Sequence, residues 1–130
     1  MNTMSRGLNI SGRIATVCLT AFLLAGSSYA QTLPSAEVKR LTSSAKTAAD
    51  HLKLAKHYEA VAVKHEAEAK EHTALAELYT KQPTGHEQKH PMSGQTAEHC
   101  KFYAEHCRKA AEAARQIAVA HSEMAKQASK

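Results

Sequence analysis

The side chains of this chain that can do chemistry are mostly imidazoles and thiols. Nine histidines and three cysteines stand among 130 residues, with no tryptophan. Neutral imidazole and thiolate are the ligand pair that suits copper(I) and zinc. His51, His65, His72, His121, Cys100 and Cys107 share one property: each lies three residues after an alanine. Those alanines recur every seven residues, as Ala48, Ala55, Ala62, Ala69 and Ala76, and again as Ala97, Ala104, Ala111, Ala118 and Ala125. A seven-residue repeat keeps one side of an α-helix turned to one partner. The candidate ligands therefore form a stripe on a helical seam.

Cys100 and Cys107 are two turns apart on one helix, about 10.5 Å from the helical rise. That is too far for a disulfide between them. In an exported protein they can pair across a dimer, Cys100 of one chain with Cys107 of an antiparallel partner and the reverse. Equally, they can ligate metal as thiolates, one cysteine per ion or on two adjacent ions, because one ion held by both would be strained. A histidine facing alanine in a seam can also be a core residue bonded to a neighbour. The case for metal is that several fall on one stripe. His57, His99 and His106 point away from the seam, to the surface or a dimer face. The run His86-Glu87-Gln88-Lys89-His90-Pro91-Met92 is either a copper or nickel site or a solvated polar loop.

Other chemistries find no support. There is no Cys-x-x-Cys-His for haem attachment and no Gly-rich phosphate loop. Di-iron carboxylate bundles need Glu-x-x-His on helices, and Glu87 to His90, beside Pro91, is the one instance. Cysteine and histidine could serve as nucleophile and base, but a narrow seam with alanine opposite leaves no substrate pocket. A non-enzymatic protein is expected. Basic and acidic residues are interleaved without a basic stripe, which argues against nucleic acid.

The elements that position the stripe follow from the same repeat. Residues 1–30 read as a cleavable signal peptide. Arg6 and Arg13 are the charges before residue 31, an apolar run spans Ile14 to Ala25, and Ser28 and Ala30 occupy the cleavage-specificity positions. The run, which contains Cys18, is short for a bilayer span. Cleavage near Ala30 takes the formal charge from +5 to +3 by removing Arg6 and Arg13, and leaves a periplasmic or secreted protein with no membrane span. Residues 31–130 then form one helical hairpin: a helix over about 36–80, a loop over 81–95 and a helix over about 96–128. The first turns are expected to fray at Thr42, Ser43 and Ser44, and Thr47 with Asp50 offers a second start as a capping box. Pro83, Gly85, Pro91 and Gly94 break the chain between the helices. The two helices repeat one another, with Ala55, Ala62, Ala69 and Ala76 matching Ala104, Ala111, Ala118 and Ala125.

One loop between two long helices predicts antiparallel packing. Setting Ala76 opposite Cys100 places Tyr79 on Ala97, His72 on Ala104, Ala69 on Cys107, His65 on Ala111, Tyr58 on Ala118, Ala55 on His121 and His51 on Ala125. Large faces small in each of these layers. His72 then lies between Cys100 and Cys107, His65 is one layer further, and His51, His121 and Met124 gather at the far end. Ala60, Ala67 and Ala74 make a second small-residue face. With Phe102 on the back of the other helix, that face predicts a homodimeric four-helix bundle; the alternative is a monomer packed by its own N-terminal segment.

The patterns His51-x-x-Leu54-Ala55-x-x-Tyr58, His72-x-x-Leu75-Ala76-x-x-Tyr79, His99-Cys100 and His121-x-x-Met124-Ala125 resemble small exported bacterial Ala/His-rich helical-hairpin proteins. The likeness covers about residues 48–126 and implies a helical hairpin with no named activity. In general plan the chain is also similar to periplasmic His-rich small metal-binding proteins and to cysteine-lined copper-storage bundles. It lacks the dense histidine repeat of the former and has far fewer cysteines than the latter. The fold class expected is all-α. The function expected is periplasmic buffering or sequestration of copper- or zinc-class ions by His72, Cys100, Cys107, His65, His51 and His121. The alternative is an envelope stress or chaperone-like bundle with no ligand.

Overall fold

The computed structural model describes residues 32–130, so the expected signal peptide over 1–30 lies outside the described residues. These residues form three α-helices and no strand: α1, Ser35–Ser44; α2, Ala48–Lys81; and α3, Ala97–Ala128. None of the three is long and apolar enough to cross a membrane.

α2 and α3 are long because nothing in them stops a helix. Neither contains Gly or Pro, and both are rich in Ala, Glu and Lys. Each start is capped. Thr47 accepts from the Asp50 backbone N–H while Asp50 reaches back to the Thr47 backbone, and Thr96 accepts from the His99 N–H. The connection between them is tied rather than loose. Thr84 Oγ1 donates to the Gln95 carbonyl at 2.9 Å, and the fully buried Thr96 donates to the carbonyls of Pro91 and Ser93. Gly85, at φ +82°, supplies a left-handed turn that a side chain would resist.

The helices pack antiparallel through their alanines. Ala55, Ala62, Ala69 and Ala76 of α2 are buried, as are Ala104, Ala111, Ala118 and Ala125 of α3. The outermost members, Ala48 and Ala97, are half-buried. Cys100, Cys107 and Ala114 on the companion stripe of α3 are buried too. Ala62 packs with Ala111 and Ala114, with Val61 alongside. That contact belongs to the register in which Ala76 faces Cys100. It is also the layer where small meets small. One rim of the seam is closed by polar groups: Arg115 pairs with Glu66, and Arg108 Nη2 donates to Thr73 Oγ1 at 2.7 Å.

The helix expected over 36–80 is two helices. Thr42 and Ser44 turn their hydroxyls back onto carbonyls four residues earlier, and Ser43 does so onto those of Lys39 and Arg40. The capping box at Thr47 then starts a new helix after Ala45 leaves helical geometry at ψ 122°. The break lets α1 fold back on α2. The Leu33 N–H donates to His57 Nδ1 at 2.9 Å, and Leu41 and Leu54 are the largest fully buried apolar side chains. Alanine methyls bury little area, so each such leucine matters, at about 1.5–3 kcal/mol. Ala60 is buried, whereas Ala67 and Ala74 on the same face are exposed.

His57 makes this docking sensitive to pH. Burial holds its pKa below the ordinary value, which is about 6.5. The undocked form therefore takes up a proton more readily, and a protonated Nδ1 cannot accept from Leu33. Docking of α1 should be complete at neutral pH and weaken as pH falls from about 6.5 toward the depressed folded value. Amide exchange at Leu33 and Leu41 between pH 7 and pH 5 checks this. We expect faster opening at low pH, and no such change in His57→Ala, which should be open throughout.

Candidate metal centre

Three potential ligands converge where the middle of α2 meets the N-terminal part of α3. One ligand atom from each of His65, Glu68 and Cys107 lies within 4.8 Å of the others. His65 and Glu68 are one turn apart on α2, and His65 Nδ1 contacts Glu68 Oε2 at 2.9 Å. Cys107 reaches the same carboxylate oxygen from α3, Sγ to Oε2 at 3.7 Å. The thiol is buried, while the two α2 side chains are about one-third exposed. On a tetrahedral ion with bonds of about 2.0–2.3 Å, neighbouring ligand atoms stand about 3.3–3.6 Å apart. The His65–Glu68 and Glu68–Cys107 separations of 2.9 and 3.7 Å stand on either side of that range. Lys64 Nζ lies 3.9 Å from Glu68 Oε1, so the other carboxylate oxygen already has a cationic neighbour.

Without an ion the thiol keeps its proton. Burial pushes the Cys107 pKa up first, and the Glu68 charge and hydrogen bond push it further. The Cys107 S–H donates to the carboxylate, and so does the His65 Nδ1–H in the matching tautomer. Two donors converge on one oxygen, the arrangement that a bound cation would replace.

The other expected ligands divide into separate groups. His72 does not join Cys107. Its ring lies tilted against Tyr103 at a centroid distance of 4.1 Å, with His99 at 6.3 Å, and its Nδ1 is buried with no hydrogen-bond partner. Cys100 is fully buried, and desolvation raises its pKa. Both described cysteines are free thiols. His51 and His121 meet each other at the far end, Nδ1 to Nδ1 at 3.2 Å. Of the remaining histidines, His106 Nδ1 donates to the Phe102 carbonyl at 2.9 Å, and its ring lies 4.0 Å from that of Phe102. In the loop, His86 and His90 are exposed and Met92 is 51% exposed, so the loop run forms no cluster.

Glu68 is the candidate ligand that the stripe of histidines and cysteines does not include. Two signals were present. Glu68 stands at a heptad position otherwise filled by Leu54, Val61 and Leu75, an acid in an apolar row. The His65-x-x-Glu68 pair also has a metal-binding spacing, in the reverse order of the Glu-x-x-His of di-iron bundles.

An open groove of about 410 Å³ runs along the opposite rim, lined by Thr73, Ala76, Lys81, Lys101 and Arg108 among others. It holds no histidine or cysteine and lies away from the ligand stripe. No known protein family, curated protein or solved structure matches the chain.

The Glu68 carboxylate should control the reactivity of Cys107. In Glu68→Gln the charge and the charged acceptor disappear, while burial stays. The thiol pKa should fall, and the rate of alkylation at pH 8 should rise by up to about tenfold, the effect of one pKa unit. Timed alkylation read by peptide mass spectrometry checks this, with Cys100 as the internal reference.

Proposed function

We propose that this protein is a non-enzymatic, exported metal-binding protein that buffers or sequesters copper- or zinc-class ions at His65, Glu68 and Cys107. The observation that carries the reading is the convergence of an imidazole, a carboxylate and a thiol from two helices on one point. Thiolate with imidazole favours soft or borderline ions over calcium and magnesium. Three protein ligands leave a position for water or a further donor, which suits an ion that must be taken up and released. His72 and Cys100 lie on the same stripe, His72 against Tyr103 and Cys100 buried in the seam. The signal-like first thirty residues support a periplasmic or secreted location. In this reading two hairpins join into a homodimeric four-helix bundle across the exposed edge of Tyr103, Ile117 and Met124.

Binding exchanges a proton for a metal ion. The Cys107 thiol would lose its S–H proton to solvent and bind as thiolate, and His65 would bind through a ring nitrogen that carries no proton, its one N–H standing on the other nitrogen. Because the free thiol has a raised pKa, affinity should climb with pH, by up to about tenfold per unit while the thiol remains protonated.

A second reading is an envelope interaction module, stress or chaperone-like, with no ligand. The same exposed edge of Tyr103, Ile117 and Met124 favours it.

Native mass spectrometry of the reduced protein titrated with zinc and copper(I) separates the two. We expect Cys107→Ser to bind one ion fewer per chain than the parent, and His65→Ala and Glu68→Ala to bind at least tenfold more weakly. Equal uptake by parent and Cys107→Ser would remove the metal reading at this centre. The same spectra report whether the chain is a dimer.

A further inference from the structure

The far end of the hairpin holds a contact that the Cys107 centre does not use. His51, in the second turn of α2, and His121, in the last third of α3, bring Nδ1 to Nδ1 at 3.2 Å. Their rings are nearly parallel, 26° apart, with centroids at 5.5 Å. Tyr58 stacks beside His121 at 6.1 Å and 10°. These two histidines are 70 positions apart in the chain, and each comes from a different helix near the end that no loop closes. Fourteen residues of α2 separate His51 from His65, about 21 Å of helix.

Two explanations fit so short a contact. One imidazole N–H can donate to the other imidazole's lone pair, which needs a proton on one Nδ1 and none on the other. Alternatively, both lone pairs can point at one ion. Two imidazole nitrogens on adjacent positions of a single ion, with bonds of about 2.0–2.1 Å, stand about 3–3.4 Å apart. The observed separation lies in that range, so an ion needs only a small opening of the pair. Both rings are half-buried, so water can fill the remaining positions. Burial first, and His51 second, hold the His121 pKa down, which keeps its lone pair free at neutral pH.

We propose that His51 and His121 form a second metal site, a bis-imidazole clamp for a borderline divalent ion such as zinc, nickel or copper(II), and that its occupancy fastens the open end of the hairpin. The site shares no residue with the Cys107 centre and differs from it in chemistry. It offers nitrogen alone, so it has no preference for copper(I). An ion bridging α2 and α3 binds the closed hairpin and not the opened one, so it must stabilise closure. The two ends of the hairpin are then held by different means. The loop end depends on Thr84 and Thr96, and the open end depends on the ion.

The test uses the full protein carrying Cys107→Ser, which leaves the clamp as the remaining site, and zinc as the probe. We expect one zinc per chain and a rise in melting temperature of about 4–8 °C. Both should be lost when His121→Gln or His51→Gln is added; glutamine keeps a polar side chain at the contact, and helicity without zinc reports folding. Copper(II) electron paramagnetic resonance on the Cys107→Ser protein should show two equatorial nitrogens, falling to one in either glutamine variant. If zinc uptake, melting and the copper spectrum are the same with and without the glutamine substitutions, the contact is a hydrogen bond between the two rings and the clamp is overturned. That result leaves the Cys107 centre untouched, since it is read from the ion lost between the parent and Cys107→Ser. Conversely, a clamp that survives while the parent and Cys107→Ser bind equally would overturn the first centre alone.

Discussion

The distance between α2 and α3 is set by alanine, and the rest of the molecule follows from that distance. Helices that touch through methyl groups sit at the short end of the usual range of about 8–10 Å. Few larger side chains can lie between them. The seam is therefore filled by buried alanines and two small thiols, and longer side chains are turned to its rims. The two rims differ. One carries Glu66 with Arg115 and Thr73 with Arg108. The other carries His65, Glu68 and Cys107, then His72 with Tyr103, and His51 with His121. The packing rule that closes the hairpin is thus also what lines up its donor atoms along one edge.

A seam of alanine buries little apolar area per residue, and the fold compensates locally. α1 returns along α2 and contributes Leu41, while His57 fixes the lead-in through Leu33. Caps at Thr47 and Thr96 define where each long helix begins. The donors are then presented on rigid helices and not on a mobile loop, and rigid presentation is what a metal site needs if its ligands are to be in place before the ion arrives. At Cys107 the thiol and the imidazole both direct hydrogen onto Glu68, so the carboxylate is partnered from both helices.

Much of the hairpin was legible in the sequence because a period of seven has few interpretations. The alanine ladders gave the antiparallel partners and the register, and Pro83, Gly85, Pro91 and Gly94 marked the turn. The break between α1 and α2 was written there too, in Thr42, Ser43, Ser44 and the Thr47–Asp50 box, but it competes with strong helix formers on both sides. The grouping of the ligands was harder to read. A register fixes which layers meet and leaves open which way a side chain leans from its layer. His72, opposite Ala104 in the register, leans onto Tyr103. Cys107 meets Glu68, a neighbour of the layer residue Ala69. Such choices depend on rotamers and on the flanking positions, where a single acid in an apolar row carries more information than the stripe itself.

The account turns on one sulfur and one carboxylate sharing an ion with an imidazole. The most direct measurement is the zinc X-ray absorption spectrum of the His121→Gln protein loaded with one equivalent, which reads the first shell without contribution from the far end. The account predicts a mixed shell: one sulfur at about 2.3 Å and the remaining ligands nitrogen or oxygen at about 2.0–2.2 Å. A shell of nitrogen and oxygen alone, or one with two or more sulfurs, would contradict it.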